Sequence, residues 1–174
     1  ISDLNLTSRL EYSMQPLRME KVYLVELARQ VVCEFLDSGL REQYEIEFCA
    51  DQESESSPVQ GDEALLKRAL SNLIQNSIVH NPQGCRISVS VLCGGAGIMV
   101  EVVDDGAGVS SEKLEELTAG GHRLESTDEK LNLRHGLGIL LVRQIMEAHK
   151  GTVTMESEPQ KGFKTALAFP VSNF

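Results

Sequence analysis

No stretch of about 18 consecutive apolar residues occurs in the chain, so nothing in it spans a membrane as a helix, and no signal peptide is visible in it. No basic stripe is present either. The formal net charge is −10. A surface this acidic offers no basic stripe to displace counterions from phosphates, which argues against a nucleic-acid partner. The four cysteines, Cys33, Cys49, Cys85 and Cys93, form no CxxC pair, which argues against zinc and redox motifs. They are expected as buried or half-buried free thiols in a reducing cytosol. Internal repeats and low-complexity tracts are absent. The chain opens on Ile1 rather than Met and reads as an excised piece of something longer.

What is present fits one domain. A length of 174 residues allows a sizeable core, and 24% charged residues suit a soluble globule. Residues 1–14 have a rough helical period ended by Pro16. A short extended segment, LRMEKVYL, leads to a helix, VELARQVVCEFLDSG, stopped by Gly39. The alternation of YEIEFCA predicts a half-buried strand, and DQESESSPVQG reads as a polar connector. RISVSVLC and GIMVEVVDD are two strands joined by GGAG, a hairpin signature. Residues 110–118 form a short helix capped by Ser110 or Ser111. From Thr118 to Arg134 periodicity is lost, and a connector this long is functional or mobile. A helix over 136–149 and a final strand pair, GTVTMES and FKTALAFP, close the chain.

The segment DEALLKRALSNLIQNSIVHNP (62–82) carries most of the functional information. It reads as an amphipathic helix with Leu65, Leu66, Ala69, Leu70, Leu73, Ile74 and Ile78 on its apolar stripe. Asn72 and Asn76, spaced i, i+4, point the same way. Asn disfavours helix interiors, so two in register need a reason. A neutral amide oxygen at Asn76 suits Mg²⁺, which prefers few protein ligands plus water and substrate phosphates. His80, one turn on, is within reach of a phosphate or caps the helix end.

Two glycine motifs follow. In DDGAG (104–108), Asp104 sits at a strand end, where a carboxylate accepts a hydrogen bond from an exocyclic amine such as adenine N6. Gly106 and Gly108 permit a close ligand approach. In RHGLG (134–138), Gly136 and Gly138 open a helix whose free N–H groups and dipole suit a phosphate. Arg134 and His135 stand just before it.

The order of Asn helix, DxGxG turn, loop and GLG helix resembles the ATP-binding domain of the sensor histidine kinases, within the superfamily that holds gyrase-type ATPases, Hsp90 chaperones and MutL proteins. NLIQNSIVHN is similar to the family's Asn box, DDGAG to its first glycine box and GLGILLV to its second. EAHKGTV and EPQKGFKTALAFP resemble segments that commonly follow. The resemblance covers residues 17 to 170. It implies an α+β fold of the Bergerat type: a two-layer α/β sandwich with about five strands in a mixed sheet, three main helices on one face and a mobile ATP lid. Residues 1–15 would be the end of a dimerisation-hairpin helix and linker, and 16–174 the catalytic domain.

The resemblance also implies ATP and Mg²⁺ as ligands, with Asn76 on the metal. Asn72, Asn76, His80, Asp104, Gly106, Gly108, Val109, His135, Gly136, Leu137, Gly138 and Thr165 would surround the nucleotide. It implies γ-phosphoryl transfer to a histidine on a dimerisation domain of the same protein, then to a response regulator, in a homodimeric full-length protein whose cytosolic part this would be. Gyrase-like and MutL-like members carry a water-activating Glu where this chain has Asn72, which cannot act as a base. Transfer therefore fits better than hydrolysis, with Asn72 and Arg134 as catalytic candidates and Lys130 as a second loop cation.

Departures are specific. Val79 stands where a Lys or Arg is common, LEELTAGGHR lacks the aromatic box, and Phe163 replaces Thr or Ser after Gly162. No His followed by Glu or Asp serves as phosphoacceptor. An anti-sigma-type serine kinase and a degenerate nucleotide-binding or interaction module are the competing readings.

Overall fold

The computed structural model describes residues 16–119 and 129–170, with the backbone alone for 129–137. The expected helix end and linker at 1–15 and the middle of the expected lid, 120–128, lie outside the described residues. In chain order the elements are β1 (Glu20–Val22), α1 (Leu24–Asp37), β2 (Tyr44–Ala50), α2 (Gln52–Glu55), β3 (Val59–Gly61), α3 (Glu63–His80), β4 (Cys85–Gly94), β5 (Gly97–Asp104), α4 (Ser111–Ala119), α5 (Glu129–Ala148), β6 (Thr152–Ser157) and β7 (Phe163–Pro170).

Strand parity builds the sheet. Ile87, Val89 and Val91 on β4 and Ile98, Val100 and Val102 on β5 are buried on one face, as a period of two requires. The sheet order is β2-β4-β5-β7-β6. β2 runs parallel to β4, and the other pairings are antiparallel. The parallel pair needs a crossover, which α2, β3 and α3 supply. The expected hairpin closes through Gly95 and Ala96, because Gly94 pairs with Gly97. The apolar faces of α1 (Leu24, Leu27, Val31), α3 (Leu66, Leu70, Ile74) and α5 (Val142, Ile145, Met146) cover the sheet in a common core. The result is the mixed five-stranded α+β sandwich expected.

Local chemistry sets the ends of α3. Asp62 is its N-cap, with Oδ1 accepting from the Leu65 N–H at 3.2 Å, a bond worth about 1 kcal/mol. At the other end the Tyr44 hydroxyl donates to the carbonyls of Ile78 and Asn81 at 3.2 and 2.8 Å. Carbonyls left over at the helix end thus find a partner from β2.

Four expectations are corrected. The polar connector 51–61 is ordered: Asp51 caps α2 by accepting from Ser54 N–H, also accepts from Cys93 N–H, and β3 pairs with β1. Cys33 and Cys49 are exposed, whereas Cys85 is buried and Cys93 intermediate. Cys49 alternates out of the sheet with Glu45 and Glu47. The last helix begins at Glu129 instead of 136. The run EKLNLR before the glycines is rich in good helix formers, and this outweighs the roughly 1 kcal/mol that each interior Gly costs.

His149, read as a surface residue, is 6% exposed. Its Nε2 accepts from the Asp62 N–H at 2.9 Å, so the proton sits on Nδ1, 2.6 Å from the Ile145 carbonyl. The imidazole joins the C-terminus of α5 to the N-cap of α3. We expect His149→Ala to lower the unfolding free energy by about 2–4 kcal/mol, because it strips a buried N–H of its partner and opens a void. Urea denaturation measures this; a loss under about 0.5 kcal/mol would mean that the bond carries no load.

Candidate active site

A pocket opens between α3 and the strand ends. Its lining combines Leu73, Asn76, Ser77, His80 and Asn81 of the α3 segment with Val102 and Asp104 of β5, Gly108 and Val109 of the turn, Leu117, Ile139, and Phe163 and Thr165 of β7. Parity explains the floor. Asp104 continues the buried row Ile98, Val100, Val102, and it faces Phe163 as Val102 faces Thr165. Asp104 is 4% exposed, and its Oδ1 accepts from the Gly106 N–H at 3.0 Å. Asp105, on the opposite parity, accepts from the Arg86 N–H at 2.7 Å and ties the strand end to β4.

Of the residues singled out from sequence, Asn76, His80, Asp104, Gly108, Val109 and Thr165 line this one pocket. Asn72 does not line it. The amide nitrogens of both Asn72 and Asn76 are nonetheless buried without a hydrogen-bond partner. Buried amides are normally paired, and Asn76, which lines the pocket, can take a partner there. Exchange of the amide O and N is a rotation about one bond, which turns the Asn76 carbonyl oxygen toward a hard cation or its N–H₂ toward a phosphate oxygen. That donor set fits Mg²⁺, which takes oxygen ligands and keeps waters. Among the described residues no three His, Cys, Asp or Glu side chains cluster as a metal cage.

The glycines of the first motif make close approaches to the protein itself. A Cβ on Gly106 would overlap the Asn81 amide, and one on Gly108 would overlap the Glu158 carbonyl. Gly108 also has φ +63°, a conformation that disfavours a side chain. These glycines admit neighbouring protein. The turn they form is fastened by Gln160 N–H to the Ala107 carbonyl at 2.6 Å and by Val109 N–H to Ser157 Oγ at 2.9 Å.

Gly136, Leu137 and Gly138 lie inside α5, so the helix N-terminus expected there as a phosphate cradle is displaced to Glu129. A Cβ on Gly138 would sit 3.1 Å from the Asn76 Oδ1, so the second glycine box meets the Asn helix directly. The side chains of Lys130, Arg134, His135 and Leu137 lie outside the described residues.

Electrostatics grade the site. His80 keeps an exposed surface overall, but its imidazole loses solvent on the pocket side. That desolvation, and then the nearby Lys113 ammonium, hold it below its ordinary pKa. Beneath the pocket, Cys85 Sγ donates to the Ser77 carbonyl at 3.7 Å. Burial, and then the charges of Asp104 and Asp105, push this thiol up to about 11. Asn81 and Ser77 went unnoticed in the sequence as pocket residues; the only signal was an Asn-Pro pair at a helix end. Arg143, whose Nη2 donates to the Leu117 carbonyl at 2.6 Å and joins α5 to α4, left no signal at all.

The fold and pocket have known counterparts. A family model described as histidine kinase-, DNA gyrase B- and HSP90-like ATPase matches residues 61–173. The chain belongs to this ATPase family. It is 29% identical over 172 residues to an adaptive-response sensory kinase, SasA, of Microcystis aeruginosa, covering 98% of the chain and 44% of that protein. It is 34% identical over 112 residues to the sensor-like histidine kinase SenX3 of Mycobacterium tuberculosis, covering 64% and 27%. The chain thus spans under half the length of these relatives. Among solved structures, the nucleotide-free catalytic domain of histidine kinase ThkA matches with a TM-score of 0.71 at 22% identity, covering 88% of this chain and 95% of that one. Full-length ShkA in complex with AMPPNP matches at 0.70 and 22%, covering 90% and 32%. Both share the ATPase-family fold. No helix among the described residues is long and apolar enough to cross a membrane.

The raised Cys85 pKa has a defined sign. The folded thiol keeps its proton above the ordinary value of 9.0, whereas the unfolded thiol loses it, so this contribution to stability is present below pH 9 and declines from there to about 11. At pH 8, iodoacetamide should label Cys33 and Cys49 within minutes and leave Cys85 unmodified until denaturant is added. Labelling of Cys85 at the rate of the exposed pair would contradict the buried placement.

Proposed function

We propose that the chain is the ATP-binding catalytic domain of a sensor histidine kinase, taking Mg-ATP and donating its γ-phosphoryl to a histidine on a dimerisation domain. The observation that carries this reading is the meeting, in one pocket, of a buried carboxylate, Asp104, with the unpartnered amide of Asn76. The first suits an adenine amine and the second a metal-bound triphosphate. Bound Mg²⁺ would neutralise phosphate charge; Asn76 would hold it, with Asn72 one turn behind on the same helix line. Asn72 cannot take a proton from water at neutral pH, so the site favours an incoming imidazole over hydrolysis. The imidazole nitrogen forms the new bond to phosphorus as the bond to the ADP oxygen breaks. The phosphoryl would then pass to a response regulator; one structural neighbour, histidine kinase ThkA, has been solved in complex with the response regulator protein TrrA. In the full-length homodimer this unit would lie in the cytosol, where ATP is supplied. Arg134 remains our candidate for the cation on the transferred phosphate.

Isothermal titration with Mg-ATP should give a clear binding heat for the wild-type chain. Asn76→Ala should lose at least tenfold in affinity with magnesium and little with EDTA present. Asp104→Asn should lose affinity for ATP and for adenosine alike. Wild-type protein that gives no heat would sink the assignment.

A phosphate held at Gly136–Gly138 needs free N–H groups there, which a helix starting at Glu129 does not offer. Binding of Mg-AMPPNP should therefore remove the helical Cα chemical shifts of residues 129–135. Helical shifts that persist at saturation would move the phosphates away from the second glycine box.

A further inference from the structure

We propose that Asn81 is a positioning residue that locks the adenine-facing turn to the metal-facing helix, and so sets the pocket's affinity for ATP. This rests on the ATP reading above and extends it to a residue, at the C-cap of α3, that was not among the nucleotide-contacting candidates. Asn81 is 7% exposed, yet it lines the pocket beside Ser77, His80 and Asp104. Its side chain spans two elements. Nδ2 donates to the Ser77 carbonyl at 2.8 Å, and Oδ1 accepts from the Ala107 N–H at 3.1 Å. The first bond satisfies a carbonyl in the last turn of α3. The second seizes the turn that follows Asp104.

The main chain of Asn81 is held as firmly. Its carbonyl accepts from the Tyr44 hydroxyl at 2.8 Å and from the Gly84 N–H at 2.9 Å, and its N–H donates to the Ile78 carbonyl at 3.3 Å. Gly106 completes the device, because any side chain there would occupy the seat of the amide. Asn76 and Asp104 arrive on different elements, a helix and a strand. Asn81 is the hydrogen-bonded bridge between those elements at the pocket wall. A ligand that must touch both depends on their separation being set before it binds.

The test titrates Mg-ATP, Mg-GTP and adenosine into wild-type and Asn81→Ala chains, with thermal melting of each. We expect Asn81→Ala to remain folded, to bind Mg-ATP at least tenfold more weakly, and to lose most of the preference for ATP over GTP. A purely structural residue would lower the melting temperature and leave that preference intact. The double variant Asn81→Ala, Gly106→Ala fills the vacated space with a methyl group. It should regain folding stability without regaining affinity. A folded Asn81→Ala chain with ATP affinity and base preference within twofold of wild type overturns the proposal. So does failure of both variants to fold, since the residue is then required for folding itself. Absence of ATP binding by the wild-type chain is a separate result, which removes the function reading and this extension together.

Discussion

Strand parity at the end of β5 is the constraint on which the site depends. Successive side chains on a strand point to opposite faces, and Ile98, Val100 and Val102 commit one face to the core. Asp104 inherits that face. A carboxylate is thereby carried under α3, in an apolar row, at the point where the sheet stops and a pocket begins. A slip of one residue would put Asp105 there and turn Asp104 outward. Asp105 resists the slip, because its carboxylate and its own N–H are both engaged by the backbone of Arg86.

The charge of the ligand makes this arrangement demanding. A chain of net charge −10 has to hold a triphosphate near a buried carboxylate. Val79, exposed on α3, supplies no cation. The guanidinium of Arg143 donates from Nη2 to the Leu117 carbonyl, and its Nε is buried without a partner. Lys113 lies one helical turn from the pocket residue Leu117, near enough to His80 to depress its pKa. Among the described residues, then, little formal positive charge faces the pocket, and on the proposed reading a bound metal and backbone N–H groups, whose dipoles carry no formal charge, would supply much of the neutralisation. Two amides left without partners, on Asn72 and Asn76, are the kind of group such a site keeps in reserve.

How far this was legible from sequence depends on whether a residue's job has a period. β4 and β5 alternate, the two asparagines recur at i, i+4, and both hairpins have turn glycines, so these elements and the Asn76–Asp104 pair could be read directly. Gly106 and Gly108 mark close approach in the sequence, expected there of a ligand, whereas the neighbours that crowd them are the Asn81 amide and the Glu158 carbonyl. The start of α5 differs from the expected one because the five good helix formers in EKLNLR outweigh the glycines that follow them. His149 and Asn81 escaped because each satisfies backbone groups far away in the chain, at Asp62 and Ala107. Such bonds exist only once tertiary structure has brought the partners together.

Those two long-range bonds also bear on where the molecule can move. His149 grips α3 at its N-cap, and Asn81 grips it where it ends. A helix fixed at both ends cannot shift along the sheet to accommodate a ligand without breaking a half-buried hydrogen bond, at a cost of about 1 kcal/mol each. Asn76, midway along α3, is then a rigid reference point. Adjustment to a nucleotide falls to the N-terminal half of α5, where two glycines weaken the helix and Gly138 touches the Asn76 amide without a side chain between them. On the proposed reading, a ligand atom that reaches the Asn76 amide meets the existing turn of α5 at Gly138, so binding there and remodelling of the second glycine box would be one event, driven from the fixed helix toward the one that glycines weaken.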